Sequence, residues 1–355
     1  MMMIIMKSKI VHIMHNDKFN SEYINFINQN FNPNDHLFIF VADVVGELFP
    51  IPQLPNVIKL FCRRRRFYRY LLLAYYCIQA DKIILHGLFV DYIIRFLYIN
   101  RYLLKKCYWV IWGGDLHQLI ERHKENMPKL VLSNIPNLIT LTKGDGTLFI
   151  QQFKTNPNVF DGIYINPIKT DMLHDTNNKN DDIHILIGNS ATESNFHIEV
   201  FEWLKTYRNY NIRLIVPLSY GDDAYKTKIL SVGFEIFDKK LHPITDFMSP
   251  QEYAKLLSSI DIAIFNNTRQ QALGNIFALL YANKKLFIRQ ESPTWDVLNN
   301  SLKFKVFNTS SIVNLNFEQF IDTSLLNDKN NKCLAYEYFY SPAHIKNIWQ
   351  NIFNS

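Results

Sequence analysis

The sequence has no C-x-x-C pair. Its four cysteines, Cys62, Cys77, Cys107 and Cys333, are scattered without metal-ligand spacing. That pattern fits free thiols in a reducing cytoplasm and not a disulfide framework. No apolar run approaches the roughly 20 residues needed to span a bilayer, so the chain is expected to be soluble or peripheral. The Met1–Met6 run is apolar but too short for a signal-peptide h-region. No Walker pattern occurs, and the lack of a G-x-G-x-x-G near the N-terminus argues against short-chain-dehydrogenase types of nucleotide-sugar enzyme. Net charge is only +6, and no nucleic-acid recognition motif accompanies it.

What is present is a globular composition, 48% hydrophobic and 20% charged, in a chain long enough for two domains. Strand-like and helix-like runs alternate. Expected strands in the first half include Lys9–His15, His36–Ala42, Val57–Phe61, Lys82–His86, Tyr108–Trp112 and Leu138–Thr142. A polar stretch, Lys169 to Asp182, reads as a linker. The pattern then restarts with Ile183–Ile187, Ile212–Pro217, Phe234–Phe237, Ile260–Phe265, Lys285–Ile288 and Phe304–Phe307. A last helix, Pro342–Phe353, contains Trp349. This alternation predicts α/β domains with parallel sheets. Two Rossmann-like halves facing a central cleft, with a closing C-terminal helix, fit the GT-B architecture. The expected divisions are 1–170, 183–332 and 333–355, the last packing back on the first.

The stretch Ile183 to Asn195 carries the most chemistry. An apolar strand ends in Gly188-Asn189-Ser190, and Thr192, Glu193 and Ser194 read as a helix start. Backbone N–H groups and a helix dipole there suit a phosphate. A plain turn and helix cap is the other reading. Arg269 follows another strand, where a guanidinium can grip diphosphate oxygens in a fork or pair with a neighbouring carboxylate. Gln270 and Gln271 offer amides to a sugar, and Gly274 a close backbone approach. Tyr220 can stack on a base or simply hold its loop. Glu291 can bind sugar or ribose hydroxyls or serve a helix N-terminus.

Four blocks carry a family resemblance. They are Ile187-Gly-Asn-Ser-Ala-Thr-Glu-Ser-Asn-Phe-His197, Val216-Pro-Leu-Ser-Tyr-Gly221, Phe265-Asn-Asn-Thr-Arg-Gln-Gln-Ala-Leu-Gly274 and Gln290-Glu-Ser-Pro-Thr-Trp295. In order and spacing they resemble the donor domain of the 4-acetamido-4,6-dideoxygalactosyltransferases (Fuc4NAc transferases) of enterobacterial common antigen synthesis. The first half matches less sharply, mainly around Ile111-Trp-Gly-Gly-Asp-Leu-His117. The resemblance implies a dTDP-activated amino-deoxy sugar as donor and an undecaprenyl-diphosphate-linked glycan as acceptor. It places the protein on the cytoplasmic face of the inner membrane.

Acceptor attack calls for a base. Asp115, after the paired glycines 113 and 114, is expected to face the cleft in that role, or else to cap the following helix. His117 and His86 are the alternatives. Asp181-Asp182 lies in the linker and Asp222-Asp223 at a helix start, so no metal site is expected, and Arg269 would neutralise the leaving diphosphate. Arg63, Arg64, Arg65, Arg66 and Arg69 stand beside Phe67, Tyr68 and Tyr70. That cluster suits an anionic membrane surface, or else the solvated end of a core helix. Two rival functions remain at this point, a nucleotide-sugar-processing enzyme and a non-catalytic cleft-binding protein.

Overall fold

A computed structural model describes residues 8–43, 49–61, 66–122, 125–174, 182–326 and 330–355. The chain divides into two compact units, Met1–Pro167 with Ile345–Ser355, and Ile168–His344.

The first unit is built on a seven-stranded parallel sheet. Its strands are β1 (Ile10–His15), β2 (His36–Ala42), β3 (Val57–Lys59), β4 (Lys82–His86), β5 (Cys107–Ile111), β6 (Asn137–Thr140) and β7 (Asn158–Asp161), in the order β3-β2-β1-β4-β5-β6-β7. Ile13 pairs with Ile39 on one side and Leu85 on the other. Helices cover both faces, so the central strands are buried almost throughout and are mainly apolar, with His12, His15 and His86 buried among them. The helix Pro342–Asn354 adds Trp349 to this unit. Its Nε1 donates to the Ile163 carbonyl at 2.9 Å, and its ring meets Tyr23 at 4.8 Å.

The second unit holds a six-stranded parallel sheet. Its strands are β8 (Ile183–Ile187), β9 (Ile212–Pro217), β10 (Leu241–Ile244), β11 (Ile262–Phe265), β12 (Lys285–Ile288) and β13 (Phe307–Asn308), in the order β10-β9-β8-β11-β12-β13. In each sheet the first strand sits inside, and the chain leaves it in opposite directions. The carboxyl ends of β1/β4 and β8/β11 are therefore switch points, where open α/β sheets bind ligands.

Three expectations change. Phe234–Phe237 is not a strand but the end of the helix Asp223–Phe237. Tyr225, Ile229, Gly233 and Phe237 recur every four residues and are buried, and a Cβ on Gly233 would stand 2.8 Å from Leu241 Cδ2. Helical period therefore wins over the apparent alternation. The helix expected from Glu193 begins at His197, after a 3₁₀ turn over Glu193–Asn195. Residues 333–344 belong with the second unit, where Phe339 stacks on Phe277 at 4.2 Å. Arg63, Arg64 and Arg65, and the side chain of Arg66, lie outside the described residues.

Candidate active site

In the second unit the loops after β8 and β11 are sewn together by amide and hydroxyl side chains. Asn195 Nδ2 donates to Thr192 Oγ1 at 2.7 Å and to the Ser190 carbonyl at 3.2 Å. Its Oδ1 accepts from the Asn189 N–H at 3.2 Å and from Asn267 Nδ2 at 2.9 Å. Asn267 Nδ2 also donates to Gln271 Oε1 at 3.0 Å, and Ser194 Oγ donates to the same oxygen at 2.7 Å. Arg269 Nε reaches Ser194 Oγ at 3.3 Å. The structure thus brings Gly188, Asn189 and Ser190 to one sheet end with Arg269 and Gln271.

The helix dipole does not act at the turn itself, because eight residues separate Gly188 from the first residue of the helix His197–Leu204. Ser190 is fully buried, its Oγ 3.0 Å from Thr192 Oγ1, and it holds the loop. Polar capacity remains elsewhere. Asn267 Oδ1, Asn189 Oδ1 and Gln270 Oε1 are buried acceptors without a protein partner. The Asn267 amide cannot simply be turned over, since its nitrogen already faces two acceptor oxygens. Buried acceptors of this kind suit a ligand that brings N–H or O–H groups.

Tyr220 is tied to the same network, because Asn189 Nδ2 donates to its hydroxyl at 2.8 Å. Its ring lies within 9° of parallel to Phe247, with centroids 6.1 Å apart, and both are exposed. Gly221 lets the β9 loop lie on the β8 loop: its φ is +124°, and a Cβ would fall 2.4 Å from the Ala191 carbonyl oxygen. Gly274 is the second residue of the helix Leu273–Tyr281, not part of the turn. Glu291 is 74% exposed and pairs with Arg289 at 3.5 Å.

In the first unit Asp115 does not face solvent. It is fully buried and accepts four N–H groups. Leu88 N and Trp109 Nε1 reach Oδ2 at 3.0 and 2.9 Å, and Trp112 N and Leu116 N reach Oδ1, both at 2.9 Å. Burial pushes its carboxyl up from the ordinary range and the four donors counter part of that rise. A carboxylate so engaged is a tie between two loops and not an acceptor's base.

His86 is engaged as well. Its Nε2 lies 3.0 Å from His12 Nδ1, its Nδ1 meets the Tyr164 hydroxyl, and His12 Nε2 lies 3.0 Å from His36 Nδ1. A neutral tautomer order satisfies the whole chain, and burial of the three rings opposes a cation within it. Burial lowers His86 to about 3 and His36 to about 4. His117 sits half-buried in the first turn of the helix Gly114–Glu121.

Sequence reasoning gave no ligand-site role to Ser194, read only as part of a helix start, nor to Asn195, Asn267 and Phe247. Asn267 had a signal, a pair of asparagines closing an apolar strand. The others become visible only through their partners. Among the described residues no group of three or more His, Cys, Asp or Glu is placed to hold a metal, and no helix is long and apolar enough to cross a membrane.

A family model described as 4-alpha-L-fucosyltransferase, glycosyl transferase group 56, matches residues 5–354. A glycosyltransferase from Rickettsia africae superposes with a TM-score of 0.68 at 11% identity, over 98% of each chain. Anabaena HepE in complex with UDP and glucose gives 0.68 at 11%, over 98% of this chain and 100% of its own. Sucrose-phosphate synthase from Thermosynechococcus elongatus gives 0.70 at 8%, over 98% of each. The shared fold is GT-B, with two parallel-sheet α/β units.

Proposed function

The chain belongs to the 4-alpha-L-fucosyltransferase family, glycosyl transferase group 56, and is a glycosyltransferase; from that premise we propose that it moves a 4-acetamido-4,6-dideoxygalactose-like sugar from dTDP to a polyprenyl-diphosphate-linked saccharide. Membership of this family sets aside the processing enzyme and the non-catalytic binder. The observation that carries the proposal is the joined β8 and β11 loops. They put a guanidinium beside buried amide acceptors at a switch point. Arg269 takes the diphosphate, with no metal required. The orphaned amide oxygens take N–H and O–H groups of an amino sugar, and Tyr220 with Phe247 flanks the planar base. Arg269→Ala is expected to weaken dTDP binding by about 1–3 kcal/mol, the scale of a charged hydrogen bond. Unchanged affinity in calorimetry would remove Arg269 from the site.

A lipid-linked acceptor asks for a membrane face, and an exposed apolar stripe on the first unit supports that reading. On the helix Arg66–Gln79, Phe67, Leu71, Tyr75 and Ile78 form one exposed stripe, with Phe67 76% exposed. The adjoining segment presents Ile99, 66% exposed, and Tyr102. The two pack together through Asn100 Nδ2 and Tyr70 OH at 2.7 Å. Arg95, Arg101 and Lys105 are exposed on the same segment. Apolar side chains beside cations suit an anionic leaflet, where each charge adds about 1 kcal/mol. Phe67→Ser with Leu71→Ser and Ile99→Ser should abolish sedimentation with phosphatidylglycerol vesicles and leave dTDP binding intact. Undiminished sedimentation would assign the stripe another role.

A further inference from the structure

The carboxyl ends of β1 and β4 carry groups that the reaction above has not used. His15 closes β1 at the switch point of the first sheet. Its imidazole stands edge-on to Phe89 at 5.0 Å and tilts over Trp112 at 5.9 Å. Gly87 makes room for it: with φ at +76°, a Cβ there would stand 3.2 Å from His15 Cε1 and 2.9 Å from Phe89 Cε2. Phe19 meets Trp112 at 5.5 Å, and Trp112 meets Tyr164 at 4.9 Å, so the aromatic wall continues. Phe89 is exposed, and Phe19 and Trp112 are half-buried.

Asp17 stands two residues beyond His15, half-buried, with Oδ1 accepting the Phe19 N–H at 3.3 Å. His12, His36 and His86 are sealed at 0, 2 and 1% exposure, whereas His15 keeps 9%. Apolar walls with a few convergent polar groups are the makeup of a small-ligand site.

We propose that this aromatic corner of the first unit seats the acceptor sugar, that His15 is the general base, and that Asp17 steadies the imidazolium. The inference rests on the sugar-transfer reading above. The acceptor hydroxyl oxygen bonds to the anomeric carbon of the donor. The carbon–oxygen bond to the diphosphate breaks, and its electron pair leaves with dTDP. The hydroxyl proton passes to the His15 ring and from there to water. Burial lowers the His15 pKa and Asp17 raises it in part, so the ring is neutral and able to accept at pH 7. The titratable groups around it are Asp17 and Lys18 on its own loop, His86 on β4 and Tyr164 beside Trp112.

The test follows dTDP release from a dTDP-linked 4-acetamido-4,6-dideoxygalactose with a polyprenyl-diphosphate disaccharide as acceptor, alongside dTDP calorimetry. His15→Gln should lower kcat by a factor on the order of 100 or more, the scale for loss of a general base, with dTDP affinity unchanged. Added imidazole should restore part of the turnover of His15→Ala. Asp17→Asn should move the acid limb of kcat to lower pH, because the carboxylate raises the pKa of the ring. His15→Gln turnover within about tenfold of wild type, or an acid limb that stays in place, overturns the assignment and leaves the donor reading standing. A wild-type protein that neither binds dTDP nor releases it overturns both.

Discussion

Asp115→Ala is expected to destabilise the first unit strongly, whatever its effect on turnover. The substitution leaves four buried donors, Leu88 N, Trp109 Nε1, Trp112 N and Leu116 N, without the oxygens they face. At about 1–3 kcal/mol for each unsatisfied group, the total is at least about 4 kcal/mol. For a unit of this size that corresponds to a fall in melting temperature of roughly 10 °C or more. Asp115→Asn keeps the shape but turns an NH2 group towards two N–H donors, so it should destabilise as well. Trp109 and Trp112 report on the site, and denaturant unfolding followed by their fluorescence measures the loss. A stable Asp115→Asn protein with turnover reduced a hundredfold would return Asp115 to the chemistry.

Acid should unfold the first unit early. His12, His36 and His86 are neutral and buried in one hydrogen-bonded chain, all with pKa values held down chiefly by burial. The unfolded chain binds protons at the ordinary histidine value of about 6.5, and the folded chain does not until much lower pH. Their contribution is therefore whole above about pH 6.5 and falls as pH drops towards 4, by up to about 1.4 kcal/mol per pH unit for each ring. The loss deepens as more of the three rings are forced to charge. Urea midpoints measured from pH 7.5 to 4.5 should fall steeply below 6.5. A flat profile down to pH 5 would mean that the chain accepts a proton without strain.

The buried parallel strands were legible because they have apolar neighbours on both faces. His36–Ala42, Lys82–His86, Ile183–Ile187, Ile212–Pro217 and Lys285–Ile288 stand at the bounds read from sequence. The edge strand Asn158–Asp161 was not legible, because it is short, polar and largely exposed. At the candidate site the loops could be picked out by their turn residues and by Arg269. The amide network could not, since Asn195 and Asn267 are 72 residues apart in the chain. Asp115 shows the deeper limit. A Gly-Gly-Asp turn looks the same whether the carboxylate reacts or accepts four local donors, and one of those donors lies 27 residues away at Leu88. His15 was hidden for a related reason. Its aromatic walls come from Phe89 and Trp112, on loops that only the sheet order brings beside β1.

The central claim is sugar transfer from dTDP through the second unit. The most direct measurement incubates the purified protein with a polyprenyl-diphosphate disaccharide and, in turn, dTDP-, UDP- and GDP-linked sugars, and weighs the lipid product by mass spectrometry. The account predicts one mass increment, that of an acetamido-dideoxyhexose, with the dTDP donor alone, and a reduced yield of it from Arg269→Ala at subsaturating donor. Transfer from UDP- or GDP-sugars without product from dTDP, or an undiminished yield from Arg269→Ala at subsaturating donor, would contradict it.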